Sequence, residues 1–148
     1  MKTVAAKGKT NRTRQPKNKR EKSVVAPLRP AWVEIDLAAI ESNARRLKEI
    51  IGAQTELMAM VKANGYGHGA VESARAALRG GATWLGVYAV GEGVELRLAG
   101  LDAPIIVLGH TFPEWAEAAV KHDLKLTVFS RDTVEAIQQA AHAQRKHA

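Results

Sequence analysis

Residues 57–70 read Leu-Met-Ala-Met-Val-Lys-Ala-Asn-Gly-Tyr-Gly-His-Gly-Ala. An apolar run ends on its only charge, Lys62, and breaks into a loop holding Gly65, Gly67, Gly69, Tyr66 and His68. In a strand covered on both faces, a lysine is costly unless its ammonium escapes or finds a partner. At the last strand position it can reach water, and a snorkelling strand-end lysine satisfies that condition. The other reading is a lysine delivered to the carboxyl end of a parallel sheet, where desolvation frees its amine for a carbonyl or a proton. There the glycines let backbone approach a ligand, and a helix starting near Gly69 aims its N–H groups at the same mouth. The residues alone leave both readings open.

Outward from this stretch, apolar strands and amphipathic helices alternate. The run ending at Lys62 precedes a helix predicted from Ala70 to Arg79, with Val71, Ala74 and Leu78 on one face and Gly80 and Gly81 as its stop. Thr83–Ala89 precedes a helix near Glu92–Ala99, and Ala103–Gly109 leads to Thr111-Phe112-Pro113-Glu114, which spells a capping box with an early proline for a helix running to about His122. Leu124–Phe129 then reaches Ser130, the expected cap for a last helix carrying Val134, Ile137 and Ala141. Upstream, Trp32–Leu37 alternates apolar and acidic residues as a short strand would, and Asp36 caps a helix with Ile40, Ala44, Leu47 and Ile51 on one face and Gly52 as its stop.

Apolar strands each followed by a helix predict a parallel sheet covered by helices. Periodicity does not separate a doubly wound sheet from part of a (β/α)₈ barrel. Length contributes, since a whole barrel takes about 250 residues and this chain offers four such units. In either architecture Lys62, His110 and Ser130 gather at the carboxyl ends of the strands.

The 148 residues carry a net charge of +7, but ten Lys/Arg against the single acid Glu21 fall in residues 1–30, leaving −2 for the rest. Residues 1–30 therefore form a basic tail, expected to be disordered because it has few large apolar side chains to bury. Without aromatics to stack on bases it is not expected to be a nucleic-acid arm, although at low salt it would adhere to polyanions nonspecifically. Residues 31–148 make up the folded domain. The chain has no cysteine, which excludes thiolate chemistry and disulfides, and it shows neither a bilayer-length apolar run nor a secretory signal, so a cytoplasmic protein is expected.

The sequence Met60-Val-Lys-Ala-Asn-Gly-Tyr-Gly-His-Gly69 closely resembles the cofactor-lysine motif of alanine racemases, the pyridoxal-phosphate enzymes of fold type III, with Gly65 where that family usually has alanine. Trp32–Leu47 resembles the family's opening, and Ala103–Thr111 resembles its third barrel strand. The resemblance implies the first half of a TIM-type (β/α)₈ barrel, truncated after strand four, with racemisation of L-alanine to D-alanine for cell-wall peptidoglycan as the activity. It implies that Lys62 holds pyridoxal 5′-phosphate covalently and serves as one of two acid–base groups at the substrate α-carbon, that Tyr66 hydrogen-bonds the cofactor phosphate, and that Leu108 lies beside the cofactor ring.

The family works as a homodimer, and its second base is a tyrosine of a β-rich domain supplied by the partner subunit. The tyrosines here are Tyr66 and Tyr88, neither in that context. The resemblance thus implies an incomplete fragment, inactive alone. The alternatives are another fold type III amino-acid racemase or a non-catalytic cofactor-binding half-barrel. No metal site is expected: His68 and His110 alone do not make one. Trp84, Phe112 and Trp115 read as packing groups, and Glu92 and Glu95 as a solvated helix face.

Overall fold

The structure is a computed structural model that describes residues 31–147. The basic tail of residues 1–30 lies outside the described residues. Residues 31–36 carry neither strand nor helix. This corrects the expectation of a strand at Trp32–Leu37: its alternating pattern supplies a face, but a strand also needs a ladder partner, and the four-stranded sheet takes none of these residues. What the segment does provide is Asp36, whose carboxylate accepts the N–H groups of Ala38 and Ala39 at 2.9 and 3.0 Å and starts helix α1, Leu37–Ile51. Of the face predicted for α1, Ala44 is buried while Leu47 stays half exposed.

Strand β1 spans Met58–Met60, β2 Trp84–Val87, β3 Ile105–Val107 and β4 Leu124–Leu126. They pair in parallel in the order β1-β2-β3-β4. That order separates the two architectures left open above. A doubly wound sheet reverses its strand order at a switch point, whereas a monotonic order with right-handed crossovers puts every helix on one face, as in a barrel wall. The chain forms four consecutive units of a (β/α)₈-type barrel.

The register builds two distinct faces. Ala59, Leu85, Ile105 and Leu124 stand in one row, with Val87, Val107 and Leu126 in the next. These residues pack with Ala74, Val90, Leu96 and Ala119 from the covering helices into the main core. The intervening row, Met60, Gly86, Ile106 and Lys125, belongs to the other face. There Met60 and Ile106 are only half buried and Lys125 is exposed, ion-paired to Asp123 at 3.0 Å. The apolar runs therefore read as covered on both sides, but among the described residues helices pack on only one.

The helices are α3, Ala70–Arg79; α4, Val90–Leu98; α5, Ala116–Lys121; and α6, Arg131–Ala143. A left-handed turn between β1 and α3, labelled α2, spans Lys62–Tyr66. Ser130 caps α6 as expected, its hydroxyl accepting from Thr133 N–H. Thr111 does not form the expected capping box. The chain enters α5 through a 3₁₀ turn, Pro113–Trp115, after an extended Phe112, and Thr111 is buried with its Oγ1 lacking a hydrogen-bond partner among the described residues. An orphaned buried hydroxyl costs roughly 1–3 kcal/mol. Thr111→Val, similar in volume, should raise the urea midpoint, by about 1 kcal/mol in stability; a lower midpoint would show that the hydroxyl has a partner.

Elsewhere polar groups are used structurally. The Arg97 guanidinium donates to the carbonyls of Leu101, Ala103, His122 and Asp123, fastening the loops that enter β3 and β4. Helix α1 lies on α3 through Ala44, Ala77 and Ala82, and Glu41 ties them by accepting from Arg79 at 2.9 Å and from Arg45 at 2.6 Å. The Arg79 hydrogen bond holds the Glu41 carboxyl below its ordinary value; burial opposes this, and the Arg79 charge and Arg45 reinforce it. A depressed folded value means the unfolded chain binds the proton more readily. The contribution is thus present above the ordinary glutamate value of about 4.3 and disappears as pH falls through the folded one. In urea titrations the stability difference between the unmutated chain and Glu41→Gln should shrink as pH falls below the ordinary glutamate range. A difference that persists there would contradict this assignment.

Among the described residues no helix is long and apolar enough to cross a membrane.

Candidate active site at the carboxyl ends of the strands

The last ladder bond at the end of β1 runs from Val61 N–H to Gly86 O at 2.9 Å, and Lys62 follows immediately. From there the backbone turns left-handed: φ is 51° at Ala63, 53° at Asn64, 62° at Gly65 and 54° at Tyr66. Such φ values cost a non-glycine residue roughly 1–2 kcal/mol each. Three of these four residues carry a Cβ, so neighbours must hold the turn. Gly65 N–H reaches back to Val61 O at 2.8 Å, Gly69 N–H donates to Asn64 O at 2.9 Å, and the Asn64 side-chain oxygen accepts Ala70 N–H at 2.9 Å, at the first residue of α3. Gly65, where alanine is usual in the resembling family, lowers the strain at the one position of the turn whose Cβ would lie 3.3 Å from Ala70 N.

The turn leaves the Lys62 side chain half buried between two phenol rings. Its Nζ is 5.9 Å from the centroid of Tyr66 and 5.9 Å from that of Tyr88, at the outer limit of cation–π attraction. It makes no hydrogen bond or salt bridge among the described residues. By contrast, Lys48 donates to carbonyls at the end of α1, Lys125 pairs with Asp123, and Lys146 donates to the carbonyls of Val120 and Lys121. The Lys62 amine is held in place without being engaged.

Of the residues singled out from the sequence, the structure brings Lys62 and Tyr66 together. Leu108 lies at the carboxyl end of β3, partly exposed, and its N–H is on Val87 O at 2.9 Å. The Leu108 backbone is thus tied to β2 rather than to Lys62. His68 turns its ring inward on its own loop, Nδ1–H donating to Gly65 O at 3.0 Å. His110 stacks edge-on against Phe112 at 4.6 Å and lies near Phe129, while Phe112 meets Trp115 at 5.3 Å, a ring cluster at the surface in which all four residues are exposed. No group of three or more metal-ligating side chains assembles among the described residues.

Two residues of the site were not anticipated. Tyr88, immediately after β2, supplies the second ring beside Lys62. Glu92, expected on a solvated face, instead points its carboxylate at backbone, accepting Ala63 N–H at 2.7 Å, Tyr88 N–H at 2.7 Å and Ala89 N–H at 3.2 Å. Its place in the first turn of α4 was the available signal, because an acid there reaches back to free N–H groups. Glu95 is exposed as expected.

Residues 35–148 match the family model described as alanine racemase, N-terminal domain. Alanine racemase 1 of Oceanobacillus iheyensis is 48% identical over 124 residues, which are 84% of this chain and 33% of that protein. Alanine racemase 1 of Bacillus subtilis is 48% identical over 118 residues, 80% of this chain and 30% of that protein. Among solved structures, alanine racemase from Bacillus anthracis with bound L-Ala-P superposes with a TM-score of 0.69 at 43% identity, covering 74% of this chain and 28% of that one. Alanine racemase from a D-cycloserine-producing Streptomyces lavendulae gives 0.71 at 37% identity, covering 77% and 30%. The chain spans about a third of the length of the relatives it matches. With a barrel wall opening on a lysine-bearing left-handed turn and a family match over most of its length, the chain belongs to the alanine racemase family, in the part that forms the N-terminal domain.

Proposed function

We propose that this chain contributes the lysine-bearing part of a pyridoxal-phosphate-dependent racemisation of alanine, interconverting the L and D forms and supplying D-alanine for cell-wall peptidoglycan in the cytoplasm. The observation that carries this reading is the Lys62 amine, half buried at the carboxyl end of β1 and engaged by neither carboxylate nor carbonyl among the described residues. The surrounding residues fit a flat, carbonyl-bearing phosphate ester: an amine for the carbonyl, Tyr66 and Tyr88 as aromatic walls, the Tyr66 hydroxyl for the anion, and the apolar Leu108 at the end of β3, two strands from Lys62.

When bound, the cofactor supplies the electron sink that makes the substrate α-proton removable. The protein supplies orientation and proton transfer. Lys62 would hold the group that carries the sink, and its free amine would take the α-proton or return one on its own side. Inversion needs a second acid–base group on the opposite side. In this reading that group and the rest of the anion site come from outside the described residues, from a further part of the barrel or a second subunit, consistent with the family's homodimers.

The test is to incubate the full 148-residue chain with pyridoxal 5′-phosphate, reduce with borohydride and map the phosphopyridoxyl mass. Modification concentrated at Lys62, without measurable alanine racemisation, is expected. Labelling spread over the basic residues 1–30 with none at Lys62 would overturn the reading; substantial turnover would overturn the assignment of the second group to another part.

A further inference from the structure

We propose that Glu92 is a positioning residue for Lys62, a carboxylate clasp joining the ends of the first two strands at the site. The inference rests on the function proposed above for Lys62. The peptide joining Lys62 to Ala63 lies two peptides beyond the last β1 ladder bond, and its N–H lies on one Glu92 oxygen at 2.7 Å. The other oxygen takes Tyr88 N–H at 2.7 Å and Ala89 N–H at 3.2 Å. One side chain thus fixes the backbone on which Lys62 stands and the backbone carrying the Tyr88 ring 5.9 Å from the Lys62 amine.

The arrangement requires a carboxylate. Two acceptor oxygens serve three donors, and bonds to an ionised acceptor are the stronger kind. Glutamine has one acceptor oxygen; its NH₂ group would face an N–H at either the Lys62 side or the Tyr88 side, leaving one strand end unheld. Ala63 sits in a left-handed conformation, φ 51°, which its neighbours must enforce. Glu92 is the side chain that fixes its N–H, and it does so from helix α4, across the mouth from the turn itself.

A plainly structural role would be an acid favourably placed in the first turn of α4. Glu92→Asp separates the two roles. It keeps the negative charge in that turn but withdraws the carboxylate by one methylene from Ala63. The experiment follows borohydride-fixed pyridoxal 5′-phosphate at Lys62 in the full chain, with residues 1–30 as internal reference, together with backbone amide exchange at Ala63, Tyr88 and Ala89. Glu92→Gln and Glu92→Asp should both lower the Lys62 label by about tenfold or more, since a displacement near 1 Å is enough for such a loss. Ala63 exchange should quicken in both, while labelling of residues 1–30 and that of a Glu95→Gln control stay unchanged.

If Glu92→Gln does not fold, Glu92→Asp decides the matter. A direct reading comes from the unmutated chain, where a through-hydrogen-bond coupling should link the Ala63 amide nitrogen to the Glu92 side-chain carboxyl carbon. A folded Glu92→Asp chain that labels Lys62 normally, or an absent coupling, overturns the clasp and leaves the function of Lys62 standing. An unmutated chain that fails to label Lys62 overturns both.

Discussion

Lys62→Ala should abolish the phosphopyridoxyl label at position 62 and leave only the background label of the other lysines. The expectation is all-or-none because covalent attachment needs an amine, and none of the other lysines whose contacts are described sits beside two phenol rings at a strand end. Lys62→Arg should behave like alanine: the guanidinium keeps the charge and length but remains protonated and does not condense with a carbonyl. This pair of variants separates chemistry from attraction. If Lys62 acted as a snorkelling strand-end cation, arginine would preserve whatever the site does with anions, and the label would be no more frequent at Lys62 than at an exposed lysine. Fold stability should move little in either variant, since Lys62 makes no hydrogen bond or salt bridge among the described residues and surface charges contribute modestly. A label that survives in Lys62→Ala, at any residue of the turn or its flanks, would reject the assignment.

The parts legible in the sequence were those set by short-range pattern. Helix α3 begins and ends at the expected Ala70 and Arg79, and the four strands fall inside their apolar runs, because burial against helices and glycine stops act over a few residues. The lysine's place at the end of β1 followed from the same pattern. What did not follow was anything decided between distant segments. Strand order, which distinguishes the barrel wall from a doubly wound sheet, is a relation among residues some twenty positions apart and leaves no trace in periodicity. Trp32–Leu37 alternates like a strand, yet the four-stranded sheet takes none of its residues. Glu92 looked like any solvated helix acid, and its role emerged only when folding brought Ala63, 29 positions earlier, onto its carboxylate. Tyr88 was read by elimination, as a tyrosine in the wrong context, rather than as a wall of the site. Its position depends on β2 lying next to β1.

Gly109→Ala should be among the most damaging single-methyl substitutions near the site. A Cβ at Gly109 would fall 2.3 Å from Tyr88 O and 3.0 and 3.1 Å from Tyr88 ring carbons, while Gly109 N–H donates to that same carbonyl at 2.9 Å. The carbonyl is backbone and has nowhere to swing without opening the junction of β2 and β3. Overpacking of this kind costs about 1–3 kcal/mol, which should appear as a thermal midpoint several degrees lower. The displaced group is Tyr88, so label at Lys62 should fall together with stability. Two other glycines provide the controls. At Gly80 a Cβ would meet Glu41 O at 2.4 Å and Ala44 Cβ at 2.6 Å, where α1 lies on α3, so Gly80→Ala should be similarly destabilising yet spare the label in the folded fraction. At Gly91, inside α4, nothing lies within 4 Å, and Gly91→Ala should raise stability by about 0.5–1 kcal/mol. Equal labelling of folded Gly80→Ala and Gly109→Ala chains would mean that the placement of Tyr88 does not matter to Lys62, whereas a selective loss in Gly109→Ala would tie the second strand to the reactivity of a lysine at the end of the first.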